Sequence, residues 1–101
     1  MKLSDKLGIP PQVMARLVGE EIVILDLAAG TYFGLDPVGA RIWQLMGEGR
    51  TLAEICATML EEYEVEREQL EVDVLRLAAE LLERGLVVPA QWVIPPEISG
   101  G

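Results

Sequence analysis

The chain has 101 residues, with 17 acidic and eight basic side chains and a formal net charge of −9. This length allows one small domain, and the hydrophobic half of the chain is enough for an ordinary globular core. The negative charge disfavours binding to phosphate backbones, so no nucleic acid is expected as a partner.

The residue types also argue against several kinds of chemistry. The chain has no histidine, which removes the commonest general base and the commonest metal ligand. We therefore predict no enzymatic activity, no metal and no cofactor. The single cysteine, Cys56, cannot form an internal disulfide, which fits a reducing cytoplasm. The chain begins without an apolar signal-peptide region and has no apolar run long enough for a membrane span, so a cytoplasmic protein without membrane contact is expected.

Three strands are predicted after an extended lead-in at Gly8–Pro11. The first spans Val13–Val18, the second spans Glu21–Leu27 and the third spans Thr31–Leu35. The second is rich in β-branched and aliphatic residues. The turn at 28–30 ends in a glycine that tolerates positive φ. Connections this short predict an antiparallel meander.

Three helices are predicted to follow the strands. Asp36 and Pro37 are a typical helix start, and the first helix should reach about residue 46. Thr51 and Glu54 have capping-box spacing, which starts a second helix that should stop near residue 63. The third helix is predicted from about 66 to 84, because Gly85 is a natural C-terminal stop.

This order predicts an α+β domain that is winged helix-turn-helix-like, with a three-stranded antiparallel sheet followed by three helices. We expect the folded domain to occupy residues 1–88. Residues 89–101 contain several prolines and glycines and are expected to form an extended or disordered tail.

The third predicted helix carries more apolar surface than one core face requires. At helical spacing, Leu70, Val74, Leu77 and Leu81 already form a complete core stripe. Further apolar residues widen the arc on one shoulder of the helix; they include Val72, Leu75, Ala78, Ala79 and Leu82. Either the helix lies centrally and is covered on two sides by its own domain, or this shoulder is open to a partner.

The third predicted strand offers an edge on which a partner peptide could pair. Thr31–Leu35 contains no lysine or proline to prevent pairing, and Gly34 would let another backbone approach closely. An edge strand beside an apolar groove binds an extended peptide by β-augmentation. The alternative is that Tyr32 and Phe33 only pack the core and that a loop covers the edge.

Other residues offer weaker hypotheses. Cys56 lies on the apolar stripe of the second helix and has no histidine to activate it, so it is interpreted as buried packing. The glutamates between 61 and 66 are interpreted as a solvated face. A winged helix also suggests DNA binding, but the third helix begins with three glutamates among residues 66–71, which phosphates would repel.

An ordered set of residues across 8–88 resembles the PqqD family, whose members are called recognition elements for ribosomally made, post-translationally modified peptides. The resemblance is carried by these residues: Ile24–Leu27, Gly30, Tyr32, Phe33, Leu35, Asp36, Gly39, Ile42, Trp43, Leu45, Gly49, Thr51, Glu54, Ile55, Asp73, Val74, Leu77, Leu81 and Gly85–Val87.

The resemblance implies a function and a set of partners. Such domains bind the leader of a precursor peptide as an added antiparallel strand and deliver it to a processing enzyme. This chain looks most like the free-standing B1-type proteins of lasso peptide biosynthesis, whose partners are a leader-cleaving protease and a cyclase. The pyrroloquinoline quinone adaptor, which serves a radical SAM enzyme, is the alternative. A DNA-binding winged helix and a self-associating interaction module also stay open at this stage.

Carried over by position, the resemblance implies a peptide-binding site formed by the third strand and the third helix. Its expected members are Thr31, Tyr32, Phe33, Gly34, Leu35, Val72, Leu75, Ala78, Ala79 and Leu82.

Overall fold

The computed structural model describes residues 1–92 and confirms the predicted α+β order. Its elements are β1 (Leu7–Gly8), β2 (Val13–Val18), β3 (Glu21–Asp26), β4 (Thr31–Leu35), α1 (Pro37–Gly47), α2 (Leu52–Glu62), α3 (Arg67–Glu83), β5 (Val88–Pro89) and a short 3-10 helix at Ala90–Trp92.

The sheet that carries the candidate edge is an antiparallel meander in the order β2-β3-β4. Ile24 lies opposite Phe33 in the register and is fully buried on the inner face. β3 ends at Asp26, one residue earlier than predicted, because the buried Asp26 carboxylate accepts the N–H groups of Ala28 and Ala29 at 3.0 and 3.1 Å. These bonds shape the turn that leads into β4, where Gly30 adopts φ 70°.

The helix starts follow the predicted capping chemistry. The Asp36 side chain accepts the N–H of Gly39 at 2.8 Å, and proline occupies the first turn of α1. Thr51 and Glu54 form a complete capping box, with each side chain accepting the other residue's backbone N–H. These caps fix where α1 and α2 begin, and the start of α1 directly follows β4.

The core lies between the inner face of the sheet and the three helices. The largest fully buried side chains are Ile24, Leu45, Met46, Leu52, Ile55, Met59, Leu81, Val74, Val87 and Cys56. On α3 the buried residues are Leu70, Val74, Ala78 and Leu81. The prediction was therefore wrong for Leu77, which is only half-buried, whereas Ala78 takes its place in the core.

The segment before β2 is more than the extended lead-in that was predicted. Leu7 pairs with Pro89, so β1 and β5 form a small second sheet. The N–H of Leu52 donates to the carbonyl of Asp5 at 3.0 Å, and that of Ala53 donates to the carbonyl of Leu3 at 2.7 Å. The N-terminal segment therefore ties the start of α2 to the end of the domain. Of the expected C-terminal tail, residues 93–101 lie outside the described residues.

Candidate peptide-binding groove

β4 presents an open edge of the three-stranded sheet. Within residues 1–92, no strand pairs with its outer side. The N–H of Leu27 donates to the carbonyl of Gln12 at 2.9 Å, so the odd-numbered residues of β3 direct their backbone polar groups to β2 and the even-numbered ones to β4. Through the register, the N–H and C=O groups of Tyr32 and Gly34 point away from the sheet. Both residues can therefore pair with an added strand.

Nothing on β4 itself prevents this pairing. The strand contains neither lysine nor proline. A Cβ added at Gly34 would meet no other atom within 4 Å, so the space over this residue is open. Tyr32 is 76% exposed, because its side chain lies on the outer face of the sheet. Tyr32 therefore does not pack the core, as the alternative hypothesis required, whereas Phe33 does pack against the core.

A groove of about 320 Å³ runs beside this edge on the inner face of the sheet. The residues that line it come from β4, the start of α1 and one side of α3; they are Phe33, Gly34, Leu35, Asp36, Val38, Gly39, Ile42, Asp73 and Leu77. Leu77 and Ile42 supply apolar surface, and Val38 is 42% exposed at the rim. The groove is thus suited to apolar side chains of an extended peptide.

The two carboxylates of the groove are already engaged in hydrogen bonds. Asp36 caps α1, as described above. An oxygen of Asp73 accepts a hydrogen bond from the side-chain amide of Gln69 at 2.9 Å and lies 3.9 Å from a guanidinium nitrogen of Arg76. Neither carboxylate is isolated, and both belong to the polar rim of the groove.

The site residues predicted on β4 lie together in the structure, whereas those predicted on α3 do not. All five residues of β4, Thr31–Leu35, lie along the open edge, although the Leu35 side chain is buried. Ala78 is fully buried in the core, and Val72 and Ala79 are exposed. Leu75 is half-buried, and Leu82 lines a separate depression with Met1, Lys6, Leu7 and Pro89.

The predicted shoulder of α3 therefore does not face β4. At 100° per residue, Leu75 lies about 160° around the helix from Leu77, and Leu82 lies about 140° from it. The side that faces β4 carries Asp73 and Leu77 at the groove and Arg84 further along. The sequence already places Leu77 at one border of the apolar arc, next to Asp73 and Arg84. The other border of the arc is equally apolar, so the sequence did not indicate which border faces β4.

Cys56 takes no part in the groove. It is buried on α2, and burial, together with the negative charge of Glu71, raises the pKa of its thiol. Within residues 1–92 no group of three metal-ligating side chains comes together. No helix in this part of the chain is long and apolar enough to cross a membrane.

The fold and its open edge define a class of protein, a small winged-helix-like α+β domain that presents an unpaired strand beside an apolar groove. Residues 21–87 match the family model described as Coenzyme PQQ synthesis protein D (PqqD). The chain belongs to this PqqD family.

Two solved structures are similar to the chain over most of its length. TbiB1 in complex with the TbiA(beta) leader peptide is 39% identical, with a TM-score of 0.76, and the match covers 79% of this chain and 93% of TbiB1. A lasso peptide synthetase B1 complexed with the leader peptide is 30% identical, with a TM-score of 0.77, and the match covers 83% of this chain and 99% of that one. No curated protein sequence matches the chain.

Proposed function

We propose that this protein binds the leader region of a ribosomally synthesised precursor peptide as an added antiparallel strand on β4 and delivers the precursor to a processing enzyme. The observation that carries the proposal is the open edge of β4, with Tyr32 and Gly34 directing their backbone groups outward beside an apolar groove. Main-chain hydrogen bonds would supply part of the affinity, and burial of a few leader side chains against Leu77 and Ile42 would supply the rest.

Both similar structures support this ligand. TbiB1 and the lasso peptide synthetase B1 are each described in complex with a leader peptide. At 39% and 30% identity over more than three quarters of this chain, the likeness extends beyond a shared fold. By this analogy the processing enzyme is the leader protease of lasso peptide biosynthesis, with the cyclase as a further partner, and the protein acts in the cytoplasm as an adaptor without catalysis of its own.

The family model favours a second candidate, a PqqD-type adaptor that serves a radical SAM enzyme in coenzyme synthesis. Both candidates bind a leader peptide and differ in the enzyme that receives it. The two candidates are distinguished by co-purification of the tagged, leader-loaded protein. Either a lasso leader protease or a radical SAM enzyme, each co-expressed from its neighbouring gene, should purify with it.

Binding itself is tested by fluorescence anisotropy with a labelled leader peptide of the precursor encoded beside this protein's gene. A scrambled peptide of the same composition is the control. Saturable binding of the leader alone, at micromolar Kd or tighter, is expected. A folded protein that binds neither peptide, or binds both equally, would overturn the proposal.

The same anisotropy assay tests the alternative that this protein is a winged-helix DNA-binding protein. DNA binding through phosphate contacts weakens steeply with salt, and the net charge of −9 opposes it. A labelled duplex of random sequence is therefore expected to show no binding at 150 mM salt, a concentration of about physiological ionic strength.

A further inference from the structure

Phe33 divides the inner side of the β4 edge into two depressions. On one side lies the groove described above, which ends at Leu35 and is lined by Leu77. On the other side lies a second depression of about 280 Å³, lined by Ala29, Thr31, Tyr32, Phe33, Arg84 and Leu86. A peptide strand that pairs with the whole of β4 passes both depressions.

Arg84 gives the second depression its chemical character. Its guanidinium carbon lies 4.7 Å from the centre of the Phe33 ring, which fixes the side chain over the strand by a cation–π contact. Its side chain remains 52% exposed, and its ion pair with Glu80 is long, at 3.4 Å. Among the described residues that line the two depressions, Arg84 is the only cation, whereas Asp36 and Asp73 border the first. A guanidinium has five donors, so Arg84 can still bind a carboxylate.

The strand geometry sets where such a carboxylate would lie in a bound peptide. An antiparallel partner of β4 runs from the Leu35 end to the Thr31 end. Its inward side chains recur every second residue, opposite Leu35, Phe33 and Thr31. A side chain in the first depression is therefore followed, two or four residues later, by a side chain next to Arg84.

We propose that Arg84 is a specificity-determining residue that selects an acidic side chain in the leader, two or four residues after the apolar side chain that enters the Leu77 groove. This inference rests on the proposed leader-binding function and adds the chemical class of one leader position. The apolar groove provides burial, and the Arg84 depression provides a charge that fixes the register of the strand.

The test is a substitution scan of the labelled leader peptide, in which each position is replaced in turn by Glu, Gln and Lys. For the wild-type protein, the peptide with Glu at one particular position is expected to bind about three- to tenfold more tightly than the peptide with Lys at that position. This is the range for gaining one exposed ion pair and losing one repulsion. The preference should shrink at high salt, because the pair is exposed.

Three variants separate specificity from structure. Arg84→Glu should invert the preference at that position so that Lys binds more tightly, and Arg84→Lys should keep the preference for Glu. Arg67→Glu makes the same charge change on α3 about 25 Å away and should leave the scan unchanged.

The outcomes are distinguishable from those of the parent proposal. If the leader binds but Arg84→Glu weakens every peptide by the same factor, Arg84 has only a structural role and the inference is overturned, while the leader-binding function stands. If no leader peptide binds the wild-type protein, both proposals fail together. An inverted preference confined to one position supports both.

Discussion

Replacing Gly34 by proline removes the backbone donor at the centre of the open β4 edge. The N–H of Gly34 points away from β3, so the substitution breaks no bond within the sheet. Proline is tolerated on edge strands when its missing N–H would have faced solvent. The variant should therefore fold, with a pyrrolidine ring in the place where a leader strand would approach.

The expected loss follows from the bonds that this residue would make. In an antiparallel pair, one residue exchanges both its N–H and its C=O with the residue opposite. The ring removes the donor and keeps the partner strand too far away for the acceptor. Two net hydrogen bonds correspond to about 1–3 kcal/mol, or roughly a five- to 150-fold increase in the leader Kd.

Two control variants isolate the effect. Gly34→Ala keeps the N–H and places its methyl group in open space, so its Kd should stay within about threefold of wild type. Ala15→Pro makes the same chemical change on the opposite edge of the sheet. Ala15 pairs with Ile24, whose polar groups face β4, so the N–H of Ala15 also points outward. This variant should bind the leader normally.

The assay is leader anisotropy, combined with circular dichroism and thermal unfolding of each variant. A folded Gly34→Pro protein with the wild-type Kd would refute strand addition at β4. Equal weakening by Ala15→Pro would show that the loss comes from the sheet as a whole and not from this edge.

Three further predictions concern single side chains. Leu77→Gln should raise the leader Kd by about tenfold, because apolar burial in the groove is lost. Leu75→Gln, on the other shoulder of α3, should leave the Kd unchanged. Equal changes in the Kd of the two variants, measured by fluorescence anisotropy, would contradict the assigned groove. The Arg41 guanidinium bonds the Glu62 carboxylate at 2.7 Å and holds its pKa below its ordinary value of 4.5, so this stabilisation is present above pH 4.5 and is lost as the pH falls through the lower pKa of the folded state. In Glu62→Gln, the free energy of unfolding should therefore fall less steeply as the pH is lowered. Urea unfolding between pH 3 and 6, a range chosen to bracket the shift, measures this, and an unchanged pH dependence would contradict the prediction. Cys56 is buried, and this burial also raises the pKa of its thiol, so the thiol should react with a chromogenic disulfide only after unfolding in urea. Fast reaction of the native protein would show that the residue is accessible.

The sequence by itself determined the local elements and their order. The Asp36 cap, the capping box of Thr51 and the stop at Gly85 act within one helical turn, so their effect can be deduced without tertiary structure. The strand Thr31–Leu35 was likewise predicted with its observed bounds, because turn chemistry precedes it and a helix start follows it. The candidate edge could therefore be located from residue types alone.

The pairing of β1 with β5 was not predicted. It joins two-residue segments about 80 positions apart, at Leu7 and Pro89, and segments this short carry no periodic pattern of their own. The contact exists because the N-terminal segment crosses the start of α2 and meets the chain again after α3.

The face of α3 that meets the edge strand was also decided only by the tertiary structure. Periodicity defines the centre of an apolar arc, but both borders of the arc on α3 are apolar, so the sequence alone does not identify which border faces β4. Packing against the sheet and the other two helices rotates α3 so that Ala78 enters the core and Leu77 lines the groove. A difference of one residue is 100° around a helix, and this rotation determines which side chains a bound peptide would contact.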